Sequence, residues 1–224
     1  MTDLSPDSPD AELLLATGCA HCAIVLEGLS QLVKEGLIGH LEITNIVPRP
    51  QRAQELNVRS VPWTRLGPFI LEGQHSPGEL RKWAQRANST EGMSEYIAQE
   101  LKQGNLNKLI NMLNNAPQQL RALIPLLEDE DTEMQVRIGI DAILESIEDK
   151  ASLAPLIPEF SQLASHKSPR IRADISHYLA LTENPEAIPV LQKQLQDESE
   201  EIREIAREGL EKLLETCVIP TKIS

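Results

Sequence analysis

The sequence predicts an α/β segment followed by an all-α one, a fold class of α/β plus all-α. Three observations carry this. Over the first 88 residues, apolar positions alternate between short strand-like runs and helical spacing. Beyond them the strand signals stop, and Leu, Ile and Ala recur at helical spacing as far as Leu214. Within that second stretch three units repeat one pattern at a period of about 31–35 residues, the signature of stacked helical repeats.

The first segment reads in order. Glu12–Thr17 (ELLLAT) is an apolar run of strand length. From Cys22 the period becomes helical, with Leu26, Leu29, Val33 and Leu37 on one face and Gly36 and Gly39 closing the helix. Leu41–Val47 (LEITNIV) alternates and is rich in β-branched residues, as a strand requires. A short helix near Pro50 follows, then VRSVPWTRL and FILEG, two strands joined through Gly67–Pro68. SPGELRKWAQRAN closes the segment as a helix. Ser76 is its N-cap, Pro77 its first residue, and Leu80, Trp83 and Ala84 share a face.

Composition bounds the function. The chain has 224 residues, 41% hydrophobic but only 3% aromatic, so its core is built from aliphatic side chains. The net charge is −13. Residues 1–88 hold 8 basic and 10 acidic side chains against 13 and 24 in the rest. Such a surface repels phosphate, which argues against nucleic acid and anionic membrane as partners. The acidic, Pro-rich start MTDLSPDSPDAE is unlike a signal peptide, and no apolar run approaches the roughly 18–20 residues of a membrane span, so a cytoplasmic location is expected. In a reducing compartment, two closely spaced cysteines point to redox chemistry or metal rather than to a structural disulfide.

Those two are Cys19 and Cys22, separated by Ala20 and His21 at the predicted strand-to-helix junction. A thiol at a helix N-terminus within such a pair has its pKa lowered from about 8.5 to about 3.5–7.5. Cys19 is therefore the attacking thiol and Cys22, one turn further in, the resolving one. An imidazolium at His21 lowers the Cys19 pKa further. Zinc asks for four ligands, and His21, His40, His75, His166 and His177 are scattered, so no metal site is expected within one chain. A zinc or iron–sulfur site shared between two chains is the competing use of the dithiol.

The element order, Cys19-Ala20-His21-Cys22 after the first strand, Ser60-Val61-Pro62 before the third and the helix opening Ser76-Pro77-Gly78-Glu79-Leu80 together resemble the thioredoxin–glutaredoxin superfamily, over roughly residues 11–88. The resemblance implies a thioredoxin-like domain and a cis proline at Pro62 opposite the dithiol. It also implies strand-like pairing of a substrate chain with the backbone at Val61, and Trp63 as either an apolar docking surface or core. His at the position of His21 occurs among strongly oxidising members. Unlike thioredoxins proper, the chain has Gly18 before Cys19, Ala20-His21 between the cysteines and apolar Leu13, Leu14 and Leu15 on the preceding strand. Glu12 falls at that strand's margin, so no internal base for Cys22 is identified and the redox direction stays open.

In the second segment, ALIPLL, PLIPEF and AIPVL place Pro125, Pro158 and Pro189 in register, where each proline is expected to bend its helix. VRIGIDAIL, IRADISHYL and IREIAREGL align Arg137, Arg172 and Arg203, with Leu144, Leu179 and Leu210 seven residues later. Asp131 and Asp197 lie six residues before their Arg, and His166 takes that place in the middle unit. An Asp–Arg ladder linking neighbouring units follows as an expectation. The D-x4-[VI]-R pattern resembles HEAT-like repeats, which form an α-solenoid whose concave face binds proteins. His166 and His177 read as solvated or capping, and Cys217 as a semi-exposed apolar residue in the tail or else a third redox-active thiol. The expected organisation is a disordered tail over 1–10, the thioredoxin-like domain over 11–88, a helical connector or cap over 89–117, HEAT-like repeats over 118–216 and a tail over 217–224.

The function expected is that of a thiol–disulfide oxidoreductase acting on a protein client or redox partner. Catalysis rests on Cys19, Cys22 and His21, and substrate binding on Val61, Pro62 and Trp63. No cofactor is expected beyond the Cys19–Cys22 disulfide itself. A non-enzymatic, redox-regulated scaffold and a metal- or cluster-binding protein are the alternatives. The sequence is silent on oligomeric state.

Overall fold

Residues 8–218 are described in the computed structural model, with side chains as far as Glu215. The expected tail over 1–10 thus lies mostly outside the described residues, as does the C-terminal tail beyond Val218. The chain divides into two units between Met93 and Ser94.

The first unit holds β1 (Ala11–Leu15), α1 (Ala20–Lys34), β2 (Leu41–Asn45), α2 (Gln51–Glu55), β3 (Trp63–Leu66), β4 (Phe69–Glu72) and α3 (Pro77–Arg86). The strands form one mixed sheet in the order β2-β1-β3-β4. β1 pairs parallel to β2, with Leu13 beside Ile43, and antiparallel to β3, with Leu14 beside Trp63. β3 pairs antiparallel to β4. Side chains alternate across this sheet. Leu13, Leu66, Phe69 and Leu71 form one buried face, where the Phe69 and Trp83 rings lie 4.8 Å apart, so α3 covers that side. α1 packs against α3 so closely that a Cβ on Gly28 would stand 2.8 Å from Leu80 Cδ1. Leu14, Trp63 and Ala53 of α2 form the core of the opposite face. The sheet is thus sandwiched between α1 and α3 on one side and α2 on the other.

Several expectations are corrected in this unit. Residues 8–10 are not a loose tail: Ser8 Oγ donates to the Gly36 carbonyl at 2.8 Å, and Pro9 O accepts from Gly39 N at 3.0 Å. The buried stripe of α1 is Cys22, Val25, Gly28, Leu29 and Leu32, so the helix is turned from the expected phase and Val33 is exposed. β2 is an edge strand, and its Ile43 faces solvent. β3 starts only at Trp63, because Pro62 has no N–H to give to the ladder.

α4 (Thr90–Lys102) crosses the division, and α5 (Leu106–Asn115) follows it. Then come three helix pairs. In each, a 3-10 segment leads into a short α-helix, and a longer α-helix follows. The 3-10 segments are Pro117–Leu123, Lys150–Leu156 and Pro185–Ala187, leading into α6 (Ile124–Glu128), α8 (Ile157–Leu163) and α10 (Ile188–Gln194). The longer helices are α7 (Met134–Glu145), α9 (Pro169–Leu181) and α11 (Glu200–Val218). Pro125, Pro158 and Pro189 each stand at the start of the α-helical part. They do not bend a continuous helix. Each marks the change from 3-10 to α, where a missing N–H costs no internal bond. Leu144, Leu179 and Leu210 are all buried, as their register requires. α11 runs to Val218, so Cys217 belongs to its last turn rather than to a tail; the side chain of Cys217 lies outside the described set.

Candidate functional site

The parallel β1–β2 pair ends at Leu15 and Asn45, and the antiparallel register brings the start of β3 and the end of β4 to the same end of the sheet. Four connecting segments therefore meet there. Ile46 N donates to the Leu15 carbonyl at 2.9 Å, and Asn45 Nδ2 to Thr17 Oγ1 at 2.9 Å, joining the segment after β2 to the one after β1. Gly73 N donates to the Pro62 carbonyl at 2.9 Å, joining the other two.

Cys19 is the N-cap of α1, and its Sγ accepts a hydrogen bond from the Cys22 backbone N–H at 3.2 Å. Gly18, at φ +79°, turns the chain from strand to helix just before it, a conformation that favours glycine. Cys19 and Cys22 are joined by a disulfide with their Cα atoms 5.3 Å apart. Cys19 is half-buried, whereas Cys22 is 2% exposed. His21 is exposed, and its Nδ1 is hydrogen-bonded to Gln74 Oε1. Gln74 carried no signal in the sequence; only the fold brings residue 74 to the first turn of α1. Next to it, His75 Nε2 is buried and has no hydrogen-bond partner among the described residues.

The Val61–Pro62 peptide is cis. Val61 is half-buried and Pro62 buried, both at the dithiol end of the sheet. Trp63 is 6% exposed and packs on Leu14 and Ala53, so its ring is core rather than a docking surface.

Glu12 is not marginal. It is 3% exposed on the α2 side of the sheet, and Arg52 Nε and Arg65 Nη2 donate to its two oxygens at 2.5 and 2.6 Å. A buried carboxylate between two guanidiniums is a paired charge, as burial demands. The Glu12 bond raises Arg52 above its ordinary value. At the head of α3, Ser76 and Glu79 form a reciprocal capping box. The Ser76 backbone amide, then its hydroxyl, hold the Glu79 carboxyl below the usual carboxylate range.

The helical unit carries its own polar joints. Arg172 Nε and Nη2 donate to the two Asp197 oxygens at 2.8 and 2.9 Å, and Arg172 Nη1 reaches the carbonyls of His166 and Lys167. Arg203 Nη1 reaches the carbonyls of Asp197 and Glu198. The expected ladder is thus made at the joint that has its Asp. Where His166 replaces Asp, Arg137 Nη2 donates instead to Asp174 at 2.9 Å. Nearby, the Tyr178 hydroxyl donates to Asp141, whose carboxyl is pushed above its ordinary value chiefly by burial.

A family model for HEAT repeats matches residues 120–211. The match spans most of the three helix pairs and the registered Arg137, Arg172 and Arg203. No curated protein matches the chain. HEAT repeats generally serve protein–protein interaction, and their stacking creates the extended concave surfaces that do so. Among the described residues, no group of three or more His, Cys, Asp and Glu side chains is gathered as a metal would need, and no helix is long and apolar enough to cross a membrane.

Proposed function

We propose that the chain is a protein thiol–disulfide oxidoreductase. A thioredoxin-like domain over residues 11–88 exchanges disulfides through Cys19 and Cys22, and the HEAT-like stretch over 118–216 binds the protein client. The single observation that carries this reading is the disulfide at the head of α1, between a half-buried Cys19 and a buried Cys22. The Cys22 backbone N–H donates to Cys19 Sγ, and with the positive end of α1 it favours the anion once the bond is reduced. The cis Val61–Pro62 peptide at the same end of the sheet, and the element order of the first unit, support the thioredoxin-like assignment.

In the reductive direction, the Cys19 thiolate attacks one sulfur of a client disulfide. The client S–S bond breaks, and its other sulfur leaves as a thiolate that takes up a proton. Cys22, having lost its proton, then attacks Cys19 Sγ. The Cys19–client bond breaks, the second client thiol is released, and the Cys19–Cys22 disulfide forms. Two electrons and two protons have passed to the client. Oxidation of a client dithiol is the same sequence reversed. No cofactor enters. His21, when protonated, adds positive charge beside the attacking sulfur.

Cys19→Ser is expected to abolish both insulin reduction and oxidative refolding of a scrambled substrate. Unchanged activity would refute the assignment. The reduction potential of the dithiol fixes the direction, near about −270 mV for a reductant and about −120 mV for an oxidant.

The HEAT match favours a second reading, in which the chain is a redox-regulated scaffold. Client capture that depends on the repeats and is indifferent to Cys19 and Cys22 would select it.

A further inference from the structure

The four segments that meet at the dithiol end of the sheet share a bias. Residues 16–26, 43–54, 56–62 and 73–78 contain no Asp or Glu, although 34 of the 224 residues are acidic and the net charge is −13. The same segments contain Arg49, Arg52 and Arg59 together with His21 and His75. Arg52 is committed to Glu12 and Glu55. Arg49 and Arg59 are exposed, and neither makes an ion pair among the described residues. Of the carboxylates next to these segments, Glu55 binds Arg52, Glu79 caps α3 and Glu72 ends β4 opposite Trp63, while Glu27 and Glu42 are exposed further along α1 and β2.

Arg49 follows β2 and Arg59 precedes the cis Val61–Pro62 peptide, so the two cations come from the loops beside the one that presents Cys19. Val47, 62% exposed, lies on the same side. The backbone groups of Arg59, Ser60 and Val61 make no backbone hydrogen bond among the described residues, which leaves an extended polypeptide something to pair with. A small disulfide has no backbone to offer there.

We propose that this end of the sheet selects an acidic polypeptide client, one whose disulfide is flanked by carboxylates that Arg49 and Arg59 attract. The proposal rests on the exchange reading given above and names its substrate class. In an otherwise anionic protein, a local cationic end concentrates acidic segments against the reactive sulfur and raises their encounter rate.

The test uses the full chain, reduced, and two peptides of equal length with one disulfide each, flanked by Asp and Glu in one and by Lys in the other. At about 0.1 M ionic strength the acidic peptide is expected to be reduced about tenfold faster. The ratio of the two rates is the readout, because any effect of the arginines on the Cys19 thiolate changes both rates together. Arg49→Glu with Arg59→Glu should invert the ratio, and the Lys pair should preserve it. A ratio near one in the native chain, or one indifferent to the double Glu variant, overturns the proposal while leaving the exchange reading intact. If neither peptide is reduced by the reduced chain and neither peptide dithiol is oxidised by the disulfide form, the exchange reading fails and the proposal with it. Dithiodiglycolate is the third substrate: a rate equal to that of the acidic peptide, with the same arginine dependence, overturns the choice of a polypeptide.

Discussion

Arg172 is 9% exposed and its partner Asp197 7%, and two parallel N–H···O bonds hold them together. Taking away one member leaves the other charge buried and unpaired, which costs about 3–5 kcal/mol where burial is complete. Arg137 and Asp174 are each about a quarter exposed and share one bond, so solvent already screens them. Arg172→Met should therefore lower the unfolding free energy by about 3 kcal/mol, and Arg137→Met by about 1 kcal/mol or less. Urea denaturation at pH 7 reads the difference, and equal losses would contradict it. The pH dependence follows from Asp197, whose carboxyl is held below its ordinary value by the Arg172 bonds. A depressed carboxyl contributes stability above its unfolded pKa of about 3.9 and loses it as pH falls toward the lower folded value. The gap between native and Arg172→Met chains should thus narrow below about pH 4. Both residues were legible as a registered pair in the sequence. The detour of Arg137 to Asp174 was signalled only by His166 at the Asp position. Glu12 was harder to read: a charge inside AELLLA looks like a strand edge, and its partners lie 40 and 53 residues away.

Among the elements, those of the first unit were legible in kind and order because period 2 and period 3.6 differ sharply over such short runs. The sharp turn at Gly18 fixed where one gave way to the other. The 3-10 segments were not legible, since residues three apart line up in both helix types, and proline is equally at home at either start. How closely helices approach was written only in their glycines. A Cβ on Gly209 of α11 would stand 2.9 Å from Ala180 Cβ of α9, an atom with no rotamer to escape through. Gly209→Ala must move a backbone and should destabilise the chain by about 1–3 kcal/mol. Gly78, in the first turn of α3, has nothing within 4 Å of its Cβ position. There the same substitution should stabilise by up to about 1 kcal/mol through helix propensity alone. Thermal or urea unfolding of the two variants should therefore shift in opposite directions; stabilisation by both would mean that α9 and α11 do not touch as closely as described.

For the whole molecule, two fields of opposite sign would act on the acidic client proposed above. The short-range one comes from Arg49 and Arg59, in the segments next to the one that presents Cys19. The long-range one is the net charge of the whole chain, −13. Salt separates them by distance. The Debye length is about 30 Å at 0.01 M, about 10 Å at 0.1 M and about 3 Å at 1 M. At 0.01 M the client feels the whole anionic protein as well as the two arginines. At 0.1 M charges more than about 10 Å away are screened, and the local cations dominate. At 1 M neither reaches it. The acidic-over-basic rate ratio should therefore rise from 0.01 to 0.1 M and fall again toward 1 M, in stopped-flow measurements on the full chain. Two charges at one end of a sheet would otherwise give a monotonic fall from the lowest salt, and that result would mean the remaining charge does not act at the site. In the Arg49→Glu, Arg59→Glu variant both fields have the same sign for an acidic peptide. Its reduction should then speed up at every step of added salt, with no maximum.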